Sequence, residues 1–276
     1  MALRLAHARS GQARAALFLV AGILALAAGA EAQFGRRPTI RLATEKDADG
    51  GFHFCRVWFR SSFNGDGGNW SVDFPRADIN LSIRLSELTK TPVPMAGEGD
   101  PKHVVVRLTD DALFSCPFIM MTEVGSASFD EKETARLREY LLKGGFLWAD
   151  DFWGTYAWNF WMNQWRKVLP PEQYPVVDLP PDHPLFHMQF NAQVTQITNI
   201  AFWLETGGTS ERGADSAVPH ARGVSDNDGR LMVLMTHNTD YGDAFEREGD
   251  DASYFYKFAG PGYSFGINVL LYAMTH

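Results

Sequence analysis

A helical stretch closed by two glycines, an apolar strand and two adjacent carboxylates follow one another in residues 130–154, and no other feature constrains the fold of this chain as much. Asp130 and Glu131 place acid in a first helical turn, Leu137, Tyr140 and Leu141 supply an apolar stripe, and Gly144-Gly145 ends the helix. Phe146-Leu147-Trp148-Ala149 then reads as a buried strand, and Asp150-Asp151 fall where that strand ends. Ligands of open α/β sheets bind outside the carboxyl ends of the strands, so the segment predicts a fold class and a candidate site together. It specifies no reaction.

The rest of the chain supplies the other layers. Residues 52–60 read as a first strand, 61–69 as a Gly/Asn/Asp loop, and 75–88, with Ile79, Leu81, Ile83, Leu85 and Leu88, as a helix buried on one side. Residues 103–108 form a second strand, and 117–124 a continuous apolar run of the buried, parallel kind. A tryptophan-rich helix over 156–169 is stopped by Pro170-Pro171, a late strand covers 230–237, a closing helix covers 263–273, and 193–206 has no clear period. This alternation predicts an α/β fold, a mainly parallel sheet with helices on both faces and irregular C-terminal additions.

The N-terminus reads as a secretory signal over residues 1–32: Arg4, Arg9 and Arg14 precede an apolar run from Ala15 to Ala30, and Ala30-Glu31-Ala32 offers a cleavage site before Gln33. The run is shorter than the roughly 20 residues a membrane helix needs, so the expectation is an exported chain, periplasmic or secreted, with no membrane span once the signal is removed. No cysteine stands at the cleavage region and no Arg-Arg precedes the apolar run, which favours ordinary secretion over lipoprotein or twin-arginine routes. Residues 33–50 read as a linker and 51–276 as one domain. Losing three positive charges and one negative charge takes the formal net charge from −8 to about −10, which argues against nucleic acid as a partner. Cys55 and Cys116 are the only thiols; a disulfide does not follow from their number, and Cys55, inside an apolar run, reads most simply as a buried free thiol.

The chemistry-bearing candidates are the groups that follow the strands. Asp150, Asp151, His237 and Asp240 are the catalytic candidates; Glu123, Trp153, His183, Asn238, Asp243 and Arg76 are the ligand-binding ones. Carboxylates and imidazoles gathered at one edge suit a divalent metal or an acid/base pair, with His237 oriented by Asp240 or Asp243. The same residue types also cap helices and tie loops, and no H-x-H or H-E-x-x-H spacing tips the balance. Trp153, Trp158, Trp161 and Trp165 invite carbohydrate stacking, yet Trp158, Trp161 and Trp165 fall on one helix face, the usual pattern of core. The glycine-rich loop over 64–69 lacks the Lys and Ser/Thr of a P-loop, and no G-x-S-x-G elbow is present.

Several ordered stretches resemble the bacterial family called domain of unknown function 4159: Phe74-Pro75-Arg76-Ala77-Asp78, Leu85-Ser86-Glu87-Leu88-Thr89, Gly144-Gly145-Phe146, Asp150-Asp151-Phe152-Trp153-Gly154, Asp182-His183-Pro184-Leu185-Phe186, the His237-to-Asp243 segment and the terminal Gly266-Ile267-Asn268. The resemblance covers about residues 52–276 and implies a flavodoxin-like, class I glutamine amidotransferase-like sheet with no established activity. Amidotransferases proper carry a nucleophilic cysteine on the turn that corresponds here to Asp150-Asp151-Phe152, so cysteine chemistry is expected to be absent. Ser115-Cys116-Pro117 departs from the expected Tyr-Pro, which makes Cys116 look incidental. The resulting expectation is an exported domain without the nucleophile that binds a small molecule, glycan or protein partner of the cell envelope at an acidic strand-end cleft. Its rivals are a metal- or carboxylate/His-dependent hydrolase and a structural subunit of envelope assembly.

Overall fold

The computed structural model describes residues 40–96 and 99–276. The segment read as a signal peptide, residues 1–32, and the first part of the linker lie outside the described residues. Among the described residues no helix is long and apolar enough to cross a membrane.

The strands are β1 (Phe54–Trp58), β2 (Arg60–Ser61), β3 (His103–Arg107), β4 (Phe118–Thr122), β5 (Ala127–Ser128), β6 (Phe146–Asp150), β7 (Val177–Asp178), β8 (His220–Ser225) and β9 (Leu231–His237). Around them lie α1 (Arg76–Leu88), α2 (Glu131–Leu142), α3 (Gly154–Val168), α4 (Ile200–Thr206), α5 (Tyr241–Glu246), α6 (Ala252–Tyr254) and α7 (Gly260–Thr275). One seven-stranded sheet runs in the order β3-β1-β4-β6-β9-β8-β7, and β2 with β5 makes a separate two-stranded ribbon. The first five strands are parallel and β8 and β7 add antiparallel neighbours at one edge. In chain order the parallel strands stand 2-1-3-4-5, a doubly wound order whose crossovers reverse direction between β1 and β4. The sheet is mainly parallel, as the alternation of elements predicts.

Side chains alternate across the pleat, so the apolar runs bury both faces. Val57, Met121, Ala149 and Met235 pack with Leu137, Trp161 and Trp165 of α2 and α3 on one face. Phe54, Met120, Trp148 and Leu234 pack with Leu81, Phe245 and Ile267 of α1, α5 and α7 on the other. The tryptophan stripe of α3 is core at Trp161 and Trp165, while Trp158 is half-buried. Asp130 and Glu133 close a reciprocal capping box at the start of α2, each carboxylate accepting from the other's backbone N–H at 2.9 Å.

Two expectations need correction. Cys55 is not a free thiol and Cys116 is not incidental: they form a disulfide, because the sheet order makes β1 and β4 neighbours and brings the two Cα atoms to 6.2 Å. Residues 41–43, within the stretch read as a linker, run beside β3, where Ala43 N–H donates to the Val105 carbonyl and Val105 N–H to that of Arg41, each at 2.8 Å.

Candidate functional site

Every non-glycine residue with positive φ among the described residues is Asp73, Glu123, Asp151 or Asn238. Glu123 follows β4, Asp151 follows β6, Asn238 follows β9, and Asp73 ends the long loop that leaves β1 for α1. All four therefore lie on connections leaving the carboxyl ends of parallel strands, where Asp and Asn tolerate the left-handed region better than most residues do.

Asp150 is fully buried and its oxygens are occupied. One accepts from the Thr236 hydroxyl, the other from Tyr241 N–H at 2.8 Å and Gly242 N–H at 3.2 Å. It ties the end of β6 to the first turn of α5, and burial pushes its carboxyl up to about 7 despite those bonds. Asp151, one residue on, accepts from Trp153 Nε1 at 2.9 Å. Asp240 caps α5 by accepting from Asp243 N–H at 2.8 Å. Carboxylate oxygens of Asp73, Asp151 and Asp240 lie within 4.8 Å of one another, and the three residues are 8%, 5% and 4% exposed. Burial first, and the neighbouring carboxylates after it, hold all three well above the ordinary carboxylate range.

A second group shares Asp73 with Asp243 and Glu246. Asp243 accepts from Ile200 N–H at 2.6 Å, and burial pushes its carboxyl up to about 6. Arg247 lies over this second group, 2.7 Å from Glu246 and 3.7 Å from Asp243. Glu246 also borders an open groove of about 420 Å³ lined by Arg76, Asn80 and residues 247–250, with exposed Arg76 on its wall.

The nearest buried guanidinium belongs to Arg56 on β1, which pairs with Asp78 of α1, both side chains fully buried. Burial alone would lower the Arg56 pKa; Asp78, with Asp73 and Asp150 more distantly, holds it above its usual value. Among the described residues no basic side chain forms an ion pair with Asp73, Asp151 or Asp240.

The remaining candidates are placed elsewhere. His237 ends β9 facing α3, as Met235 does, whereas Thr236 faces α5; the pleat therefore separates the ring from Asp240 and Asp243. Its Nε2 donates to the Gly154 carbonyl at 3.0 Å, and Nδ1 accepts from Arg222 at 3.2 Å, a tautomer set by those partners. Phe152 and Trp158 flank the ring, and burial holds it down to about 4, so it is neutral at neutral pH. His183 sits at the opposite edge of the sheet, packed on Phe186 and on Tyr272, whose hydroxyl accepts from Leu231 N–H at the start of β9. Asn238 is a tether: its amide oxygen accepts from Gly154 N–H and its amide nitrogen donates to the Val218 carbonyl, each at 2.8 Å.

Glu123 explains the glycine-rich loop. A Cβ on Gly67, whose φ is +134°, would lie 2.4 Å from Glu123 Oε2, so the loop wraps a carboxylate closely. Burial pushes that carboxyl up to about 7, against the lowering by Gly68 N–H. Asp73, Arg56, Glu246 and Arg247 are residues of this edge that the sequence pattern does not single out. The glycine-rich loop after β1 ends at Asn69, and Asp73 stands four positions later; an arginine inside the apolar run of β1 is the signal for a buried ion pair.

A family profile described as Domain of unknown function (DUF4159) matches residues 54–274. No curated protein matches the chain.

Proposed function

Because the chain belongs to the family Domain of unknown function (DUF4159), and because its strained and charged groups gather at one edge of the sheet, we propose that it is an exported, amidotransferase-like domain that binds a ligand there in place of amidotransferase chemistry. The observation that carries this reading is the quartet Asp73, Glu123, Asp151 and Asn238. Backbone held in a sparsely populated region costs of order 1–3 kcal/mol per residue and clusters where a ligand is held. Asp151, with φ +56° directly after β6, falls on the turn where the resemblance to amidotransferases would put their cysteine, so this reading gives the turn an aspartate in place of a thiol. The ligand class we favour is cell-envelope carbohydrate, whose hydroxyls suit an acidic edge.

Supporting the export are the signal-like N-terminus and the Cys55–Cys116 bridge, since disulfides persist in oxidising compartments. We favour binding over the hydrolase reading that pairs Asp150 with His237, since both Asp150 oxygens accept hydrogen bonds and His237 is engaged on the α3 face.

Thermal-shift measurements on the processed chain with peptidoglycan fragments and soluble glycans test the binding. A stabilising glycan whose effect is lost in Asp151→Ala supports it; no response to any glycan, with a protein partner captured equally by wild type and Asp151→Ala, replaces it with the structural-subunit reading. N-terminal sequencing of the chain from an exporting host should begin at Gln33, and an unprocessed Met1 refutes the export.

A further inference from the structure

The geometry points to a hard divalent cation, Ca2+ or Mg2+, held by Asp73, Asp151 and Asp240 at the carboxyl ends of the strands. This inference rests on the reading of that edge as a binding site and names what occupies its centre.

Three carboxylates converge there, and proximity alone would make them only an acidic cluster. Asp73 adds the independent observation. Its side chain is more than nine-tenths buried, and its Oδ2 is enclosed without any hydrogen-bond partner. A buried carboxylate oxygen with no donor is among the most costly of unsatisfied groups, and folded proteins pair such atoms with a donor or an ion. The other two residues are oriented for the same point: Asp151 is fixed through Trp153 Nε1 and Asp240 through Asp243 N–H, one oxygen of each being held this way. Gly242 leaves the space, since a Cβ there would stand 2.1 Å from Asp73 Oδ2.

No side chain supplies the missing positive charge. Arg56 is committed to Asp78, and Arg247 lies on Asp243 and Glu246. That second placement also assigns the cation to the first group, because the Asp73–Asp243–Glu246 group already holds a guanidinium.

The donor set selects the ion. Oxygen ligands without histidine or cysteine suit Ca2+, Mg2+ or Mn2+ and not zinc or copper. Bond lengths of about 2.1 Å for Mg2+ and about 2.4 Å for Ca2+ place opposite ligands roughly 4.2 and 4.8 Å apart. Donor atoms within 4.8 Å of one another fall inside the span that the larger ion sets. Three protein oxygens fill half or fewer of the roughly 6–8 positions of such an ion, leaving the rest for water or for hydroxyl and carboxylate oxygens of a bound glycan.

The test uses the full processed chain, stripped with chelator and then titrated with CaCl2, MgCl2 or MnCl2 and, as a control, KCl. One ion per chain by calorimetry is expected, with a melting temperature raised by roughly 5–10 °C when the free ion is about 100-fold above its Kd. Asp73→Asn, Asp151→Asn and Asp240→Asn should each abolish the rise. In chelator the same variants should melt at or above the wild-type temperature, because each removes a repelling charge. That crossover separates a cation site from carboxylates that serve only as hydrogen-bond acceptors, for which the variants would be less stable with and without ion. A stripped wild type that no divalent ion stabilises overturns the inference. A glycan that stabilises the stripped protein while no divalent ion does overturns it and leaves the binding reading intact; an ion that binds while no glycan does upholds it and removes the binding reading.

Discussion

Arg56 offers the sharpest test of how charge is arranged under the site. Its guanidinium and the Asp78 carboxylate are both 0% exposed, so water screens neither. Replacing Arg56 by methionine keeps most of the volume but leaves Asp78 as an uncompensated charge between β1 and α1, a change that costs about 3–5 kcal/mol. Against a total stability of about 5–15 kcal/mol, the variant remains folded at low temperature but only narrowly. With a urea m-value of about 3 kcal/mol/M, the midpoint should fall by roughly 1–1.7 M. Adding Asp78→Leu removes the stranded carboxylate and should recover most of the loss, since apolar replacements of a whole buried pair are commonly neutral. Recovery should stop short of wild type, because Arg56 also offsets Asp73 and Asp150. Urea denaturation followed by tryptophan fluorescence reads all three proteins. A single variant that loses under about 1 kcal/mol, or a double variant no more stable than the single, would refute the assignment of Arg56 to Asp78.

Glu123, raised from 4.5 to about 7, binds its proton more tightly in the folded than in the unfolded chain, so it withdraws stability as pH rises through that window. Glu123→Gln should therefore gain on wild type by roughly 3 kcal/mol between the two pH limits, measured as the pH dependence of the denaturation midpoint; a constant difference across pH would rule this out. Cys55→Ala with Cys116→Ala opens a loop spanning 61 residues and should cost roughly 4 kcal/mol, with no alkylation of the native wild type by iodoacetamide in mass spectra. Gly242→Ala should displace the Asp73 carboxylate at a cost of roughly 1–2 kcal/mol and remove any calcium-induced thermal shift; an unchanged shift would show that this close approach is irrelevant.

What the sequence made legible was local. The capping box of α2 spans four residues, the apolar run of β4 is continuous, and Trp161 and Trp165 declare one face of α3, so each could be read without knowing its neighbours. The acids at the strand ends were legible for the same reason, since each follows its strand directly. Asp73 was not, because it arrives at the edge only after a long crossover from β1. The disulfide was hidden because its two ends meet only when β1 and β4 pair. β8, His-Ala-Arg-Gly-Val-Ser, lacks an apolar run and gains strand form from the register with β9. His237 illustrates the limit of spacing arguments: Asp240 follows it by three positions, but His237 ends β9 facing α3 whereas Asp240 lies beyond the strand as the N-cap of α5.

The two edges of the sheet are held by different means. Cys55 and Cys116 staple β1 to the turn before β4 at the amino-terminal edge, whereas the carboxyl-terminal edge is held through loops whose charges repel. Opening fluctuations should therefore be directional, with amides of the loops around Asp73, Asp151 and Asp240 exchanging with solvent long before those beside the disulfide. An envelope protease would then meet the chain from one side, and whatever occupies that edge would set how long the protein lasts.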